Sequence, residues 1–263
     1  MLVKSEDLPL GSHSLLRIQT FCTEAQNSGR LIVYGGVHDE LRQDYLNEDL
    51  PLPARAISHI TVKPARWRMR LDGACLRVAQ STLQIYGTEV IVHYLWRAGL
   101  AFLPSFNELG VRKHAHFGLR RNEQRPDKTE EIYLSADENF LKEHHFWNHI
   151  IADVMLATGG SLITYIKTLH SLGVKTSNIA LASVIAAPEG IYNLLNEYPD
   201  LTIFVGQLDD HLDKTGYIVP GLGDAGDKMF SGLSLTEFEL EKDLFSKQEW
   251  NLLKEKINQA NLK

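Results

Sequence analysis

The chain has 263 residues, with 27 lysines and arginines against 33 aspartates and glutamates, a formal charge of −6, and 44% hydrophobic and 23% charged residues. Those values exclude a disordered, collagen-like or disulfide-scaffold protein and leave ample material for a core. The acidic balance argues against broad nucleic-acid binding, so no nucleic-acid partner is expected, and an anionic ligand would need local devices such as helix N-termini and placed arginines.

Cys22 and Cys75 are the only cysteines. They read as two reduced thiols of a cytoplasmic protein. No apolar run approaches the roughly 18–20 residues of a membrane span. Residues 1–11 lack a continuous apolar stretch, so neither a membrane partner nor a signal peptide is expected.

In chain order, the first part, residues 1–85, carries few clear signals. Leu31-Ile-Val-Tyr34 before Gly35-Gly36 reads as a strand and turn. Trp67-Arg-Met-Arg-Leu71 alternates apolar and polar, Asp72-Gly73 follows, and Leu76-Arg-Val78 comes next. That pattern predicts a β-hairpin, with Arg66, Arg68 and Arg70 on its solvated face or as an anion or RNA contact. From Thr88 onward, strand, loop and helix signals repeat. Val90–Leu95 is a buried-strand run, a short helix follows Gly99 and ends near Gly110, and Val111–Leu119 reads as a strand. Residues 121–140 are polar and charged and predict a loop or exposed flap, with Tyr133 a candidate member.

Ile150–Val154 reads as a strand and Met155–Ser161 as a loop. Leu162, Ile163, Ile166, Leu169 and Leu172 recur at helical spacing before Gly173. Ile179–Ala187 is strand-like, Pro188-Glu-Gly opens a helix whose apolar face holds Ile191, Leu194 and Leu195, and Leu201–Leu208 is the next strand. Alternation of this kind predicts an α/β fold with a mostly parallel sheet flanked by helices. Chemistry is then expected at the carboxyl ends of strands, just after Leu95, Leu119, Val154 and Leu208. Residues 231–263 are charged, and their leucines are spaced for one or two amphipathic helices.

Asp153-Val-Met-Leu-Ala-Thr-Gly-Gly-Ser161 lies between a strand and a helix. Its glycines let backbone N–H groups approach a phosphate, and Thr158 and Ser161 add hydroxyls. It lacks the Gly-Lys-Ser/Thr of a Walker A loop. Gly221-Leu-Gly-Asp-Ala-Gly226 fits G-x-G-x-x-G, but it follows Pro220 and a short strand late in the series, the wrong context for a dinucleotide fold. His144, His145 and His149 lack a clean ligand set and read as surface or edge histidines; His93 reads as a satisfied core histidine.

The string Asp153–Ser161 resembles the phosphoribosyl-diphosphate loop of type I phosphoribosyltransferases, in the form found in uracil phosphoribosyltransferases. Gly216-Tyr-Ile-Val-Pro-Gly-Leu-Gly-Asp-Ala-Gly-Asp-Lys228 is similar to that family's uracil-recognition segment. Trp96-Arg-Ala-Gly-Leu100, Ala186-Ala-Pro-Glu-Gly190 and Tyr198-Pro-Asp200 match it too. The resemblance covers about 88–230 and implies an N-terminal arm or hood segment over 1–87, a catalytic core over 88–230 and a helical extension over 231–263. It implies the type I phosphoribosyltransferase fold with a β-hairpin or flap hood.

The same resemblance implies a glycosyltransferase that makes UMP and pyrophosphate from uracil and 5-phosphoribosyl 1-diphosphate (PRPP). Asp153, Asp224 and Arg97 would be its catalytic residues. Arg97, Arg121, Asp153, Val154, Met155, Leu156, Ala157, Thr158, Gly159, Gly160, Ser161 and Asp224 would bind PRPP, and Ile218, Gly223, Asp224 and Ala225 would bind uracil. Arg120 is Arg121's neighbour, and the register between them is open. Mg²⁺ would ride on the diphosphate rather than in a protein cage. A homodimer or higher homo-oligomer is implied, and GTP as an allosteric activator. The chain departs from the family at Val154, where the family has Pro, and at Trp96 and His93-Tyr94. Two other readings stay open: a ligand-binding or regulatory homologue with little turnover, and a relative that uses another pyrimidine-like base.

Overall fold

The computed structural model describes residues 12–35, 64–122, 125–135 and 137–230. The turn expected at Gly36 and the amphipathic helices expected over 231–263 lie outside the described residues. The elements in order are α1 (Ser12–Asn27), β1 (Leu31–Val33), α2 (Pro64–Tyr86), β2 (Val90–Leu95), a 3₁₀ turn (Ala98–Phe102), α3 (Leu103–Glu108), β3 (Lys113–Asn122) and β4 (Arg125–Ser135). Then come α4 (Glu138–Glu143), β5 (Asn148–Leu156), α5 (Gly160–Ser171), β6 (Ile179–Ala186), α6 (Pro188–Glu197), β7 (Thr202–Leu208), β8 (His211–Leu212), β9 (Ile218–Val219) and α7 (Ala225–Phe230).

Seven strands form one sheet in the order β1-β7-β6-β5-β2-β3-β4, parallel throughout except for the antiparallel β3–β4 pair. The expected α/β class and mostly parallel sheet are therefore present. Period-2 burial divides the core between two faces. On one, Val92, Tyr94, Ile150, Ala152, Ala182 and Phe204 pack under α2 and the 3₁₀ turn. On the other, Ile151, Leu181, Ile203 and Val205 pack with Leu162, Ile166 and Leu169 of α5 and Leu194 of α6. Strands buried on both faces read as continuous apolar runs, which is why β2, β5, β6 and β7 were legible.

Several expectations are corrected. Residues 67–78 form the middle of α2, not a hairpin. Trp67, Leu71, Ala74, Cys75, Val78 and Ala79 are buried, and their spacing of three and four marks a helical face. Arg68 is exposed on that helix, so the arginine row is not a strand face. Of the loop or exposed flap expected over 121–140, the loop does not hold over 125–135: Arg125–Ser135 is a strand paired antiparallel to β3, with Tyr133 opposite Gly118 and Thr129 opposite Arg121. β5 runs on through Leu156, because Met155 and Leu156 pair with Ile185 and Ala186, which shortens the loop to Ala157–Gly159.

The histidine expectation divides. His93 is buried and satisfied, as expected. His149 is also fully buried, not at a surface or edge. Tyr165 Oη meets His93 Nδ1 at 2.8 Å, His93 Nε2 meets His149 Nδ1 at 2.9 Å, and His149 Nε2 meets the His144 carbonyl at 3.3 Å. One set of neutral tautomers satisfies the row, each ring donating through Nε2 and accepting at Nδ1. Burial holds His93 well below the ordinary histidine range, with His149 adding to it, and burial pushes His149 down to about 4. Cys22 and Cys75 are free and buried.

Because both rings are neutral when folded and protonated when unfolded, the unfolded chain binds more protons below the ordinary value of 6.5. Stability from these groups is complete above that pH and is lost as pH falls toward 4. The melting temperature should drop on acidification from about pH 7 to pH 4.5, and the slope should be shallower in His149→Gln. An unchanged slope in the variant would exclude His149 as a source.

Candidate functional site

The strand order reverses between β5 and β2, so the crevice beyond their carboxyl ends is the switch point of the sheet. At the end of β5 the chain turns through Ala157–Gly159 into α5. Gly159 takes φ 79°, a conformation that disfavours a side chain. The turn is held from α6. A Cβ on Gly190 would run into the Ala157 carbonyl. Asn193 Nδ2 donates to the Thr158 carbonyl at 3.0 Å, and the Ala187 N–H donates to the Leu156 carbonyl at 2.9 Å. Thr158 Oγ1 accepts from the Gly160 N–H at 3.4 Å. The turn therefore opens a helix whose first N–H groups lack intrahelical partners and carry partial positive charge.

Three polar side chains converge beside this turn. Gly99 lies against the Ala152 carbonyl with no room for a Cβ, which seats the loop carrying Arg97 on β5. From the position a Cβ would take on Gly226, Asp224 Oδ1 is 3.2 Å away and Arg97 Nε 3.7 Å. Arg97 and Asp224 thus share one corner. Asp153 faces it from β5. Enclosure by protein pushes its carboxyl from 3.8 up to about 7; the Met155 and Val154 amides pull it back, and the Asp224 carboxylate pushes it further up. Arg97 is exposed, and Trp96 beside it is 45% exposed.

The third part is the segment after β7. β8 and β9 form a small hairpin whose turn is tied by Asp213: Oδ1 accepts from Thr215 N–H at 2.8 Å, Thr215 Oγ1 at 2.7 Å and Tyr217 N–H at 3.0 Å. Gly221 and Gly223 both take φ 66°. The Gly221 N–H donates to Asp209 Oδ2 at 2.9 Å. Ile218 and Ala225 are buried and Asp224 is half-buried. Val154 and Leu156 are fully buried in β5, so only their backbones reach the crevice. Arg121 lies in β3, and its side chain is outside the described residues. Among the described residues, no group of three or more His, Cys, Asp or Glu side chains could hold a metal ion. Nor is any described helix long and apolar enough to cross a membrane.

Comparison with known proteins gives this geometry a family. The sequence profile described as uracil phosphoribosyltransferase matches residues 54–232. The chain belongs to the uracil phosphoribosyltransferase family. The match reaches further toward the N-terminus than the motifs do and takes in α2. The chain is 38% identical to the uracil phosphoribosyltransferase of Lactiplantibacillus plantarum over 155 residues, 58% of this chain and 71% of that one. It is 38% identical to a Streptococcus pyogenes uracil phosphoribosyltransferase over 148 residues, 56% of this chain and 68% of that one. Among solved structures, the AQ2163 protein of Aquifex aeolicus shares the fold, with a TM-score of 0.60 and 23% identity over 78% of this chain and 99% of that one. The protein is a phosphoribosyltransferase enzyme.

Three residues of this phosphoribosyltransferase site escaped the sequence reading. Asp209, Glu189 and Asn193 are all buried, and each accepts or donates a hydrogen bond that shapes a loop. Asp209 had a signal, since it stands just after Leu208, where chemistry was expected. Glu189 had one in the Ala186–Gly190 string that matches the family, and Asn193 had none beyond being polar on an apolar helix.

Two outcomes follow for the enzyme without ligand. Asp153 binds its proton more tightly when folded than unfolded, so it costs stability as pH rises from 3.8 toward 7. Asp153→Asn should raise the melting temperature at pH 8, by a free energy of at most a few kcal/mol, and by less at pH 5. A fall at pH 8 would refute the strained carboxyl. Gly190→Ala should cost about 1–3 kcal/mol, because the Ala157 carbonyl must move to admit a methyl group. Denaturant unfolding measures it, and a cost near zero would mean the contact is slack.

Proposed function

We propose that this phosphoribosyltransferase makes UMP and pyrophosphate from uracil and PRPP, as a pyrimidine-salvage enzyme. The observation that carries the proposal is the single corner shared by Asp153, Arg97 and Asp224 beside the Ala157–Gly159 turn. The names of the Lactiplantibacillus and Streptococcus relatives support uracil as the base. The proposed division is an arm over 1–87, a catalytic core over 88–230 and an extension over 231–263.

In this reading the 5′-phosphate sits on the turn, with Ala157, Thr158, Gly159, Gly160 and Ser161 presenting N–H and hydroxyl groups. Met155, Val154 and Leu156 contribute through backbone. Asp153 accepts from the ribose hydroxyls, which suits an enclosed carboxyl that the Met155 and Val154 amides compensate only in part. Arg97, with Arg121, pairs the pyrophosphate oxygens through its planar fork. Ile218, Gly223 and Ala225 take uracil, mainly through backbone groups on its carbonyls and ring N–H. Bond breaking at the anomeric carbon leaves an oxocarbenium-like sugar and a departing anion. Arg97, placed in advance, stabilises the anion, and Asp224 faces the reacting ribosyl group.

The donor set fits Mg²⁺ carried on the diphosphate. The Asp224 carboxylate is near enough to push the Asp153 carboxyl up, and a hard cation beside them would offset that repulsion. When bound, Mg²⁺ would neutralise charge on the diphosphate. The homodimer or higher homo-oligomer and GTP as an allosteric activator rest on family resemblance, and the cytoplasmic location on the two free cysteines.

The alternative, a ligand-binding homologue with little turnover, drew on Val154, His93 and Trp96. Val154 and His93 are absorbed in the core, with His93's hydrogen bonds complete. Trp96, next to Arg97 in the chain, is partly exposed and packs edge-on to His116, so two of the three departures lie away from the proposed diphosphate contacts, which favours the enzyme.

The test is pyrophosphate release from PRPP with Mg²⁺ and a panel of bases. Release with uracil is expected; release only with another base would overturn the specificity, and none with any base would overturn the activity. Asp224→Ala should lower turnover by at least about a hundredfold with little change in melting temperature. Unchanged turnover would refute its role.

A further inference from the structure

The helix α6 touches both halves of the site. Asn193 is 5% exposed, and its Nδ2 donates to the Thr158 carbonyl at 3.0 Å, in the turn. One turn earlier, Gly190 lies against the Ala157 carbonyl. At the helix start, Glu189 is 2% exposed, and its Oε1 accepts from the Leu212 N–H at 2.9 Å, in the hairpin that carries Ile218. The second Glu189 oxygen, Oε2, is buried with no hydrogen-bond partner. A buried carboxylate left half-satisfied is a poor way to gain stability. The α6 N-terminus offsets part of that cost through its partial positive charge.

The far side of α6 is braced by α1, which lies before the family match. Cys22 Sγ donates to the Pro188 carbonyl at 3.7 Å, and Phe21 packs edge-on to Tyr192 with ring centres 5.0 Å apart. The helix is thus held from outside and makes specific polar contacts inward.

We propose that Asn193 and Glu189 are positioning residues: Asn193 sets the phosphate turn, Glu189 sets the base hairpin, and α6 fixes the spacing between the two. The proposal rests on the uracil and PRPP reading above. Neither residue needs to touch substrate. Asn193 acts through Thr158, and Glu189 acts through Leu212 and the β8–β9 pair.

The experiment measures PRPP affinity by calorimetry with Mg²⁺, KM for both substrates, and melting temperature. Asn193→Ala should weaken PRPP binding about fivefold or more and leave uracil KM within about twofold. Glu189→Ala should raise uracil KM about tenfold, because a charged acceptor is lost, and leave PRPP affinity within about twofold. Glu189→Gln keeps an acceptor for Leu212 and should restore uracil KM. If Asn193→Ala does not fold, Asn193→Asp removes the donor at equal size and should give the same result. A lower melting temperature with both affinities intact would reduce the two residues to structural ones and overturn the proposal. Equal loss of both substrates in each variant would overturn the division of roles. Wild type that binds PRPP but forms no nucleotide from uracil would refute the base assignment alone, and the PRPP arm would still decide Asn193. Wild type that binds no PRPP would overturn both.

Discussion

Two backbone segments close onto one strand because neither carries a side chain at the point of contact. Gly99 meets the Ala152 carbonyl, and Gly190 meets the Ala157 carbonyl. The first contact seats the loop that bears Arg97 on β5, and the second seats the turn that follows β5. A methyl group at either glycine would drive the two backbones apart. Everything on the carboxyl side of the sheet follows from that closeness. Arg97 and Asp224 meet beside Asp153 because the loop after β2 and the segment after β9 are drawn to the end of β5. The reversal of strand order between β5 and β2 supplies the crevice, and the glycines set its width.

The corner so formed is electrostatically uncomfortable without ligand. Asp153 is enclosed and opposes Asp224, and two backbone amides only partly compensate. Strain of this sort is tolerated where a ligand later relieves it, since hydrogen-bond donors or a cation convert repulsion into binding. The arrangement also explains why the net charge of −6 says little about the ligand. A helix start and a guanidinium group are local devices that act on an anion whatever the net charge. A global field is neither present nor needed.

The sequence was most legible where burial was complete. Val90–Leu95 and Ile179–Ala186 are apolar throughout because both faces of a parallel strand are covered. The turn after β5 was legible as chemistry because its glycines and hydroxyls have few other uses. Legibility failed where a short window fitted the wrong period. Trp67 to Leu71 alternates for five residues, and Asp72-Gly73 imitates a turn, yet Leu71, Cys75 and Val78 continue a helical face. It failed again over 125–135, where a charged antiparallel strand reads as a loop. Asp209 was legible only by its place after Leu208 and Asn193 not at all, because their partners lie twelve and thirty-five residues away. His149 looked like part of a surface cluster with His144 and His145; only the register of β5 against β2 puts it beside the buried ring of His93.

The segment before the family match has a place in this scheme. β1 pairs Leu31, Ile32 and Val33 with Ile203, Phe204 and Val205, so β7 is not the edge of the sheet. An exposed edge is a site of unwanted pairing and of fraying. β7 leads directly to Asp209, whose side chain holds the glycine-rich segment through Gly221. α1 meanwhile packs on α6, which holds the Ala157–Gly159 turn. One N-terminal helix and strand therefore stiffen both loops from behind. Catalytic loops must be placed to within fractions of an ångström by elements that do not themselves react, and a segment outside the recognisable core can serve that purpose as well as one within it.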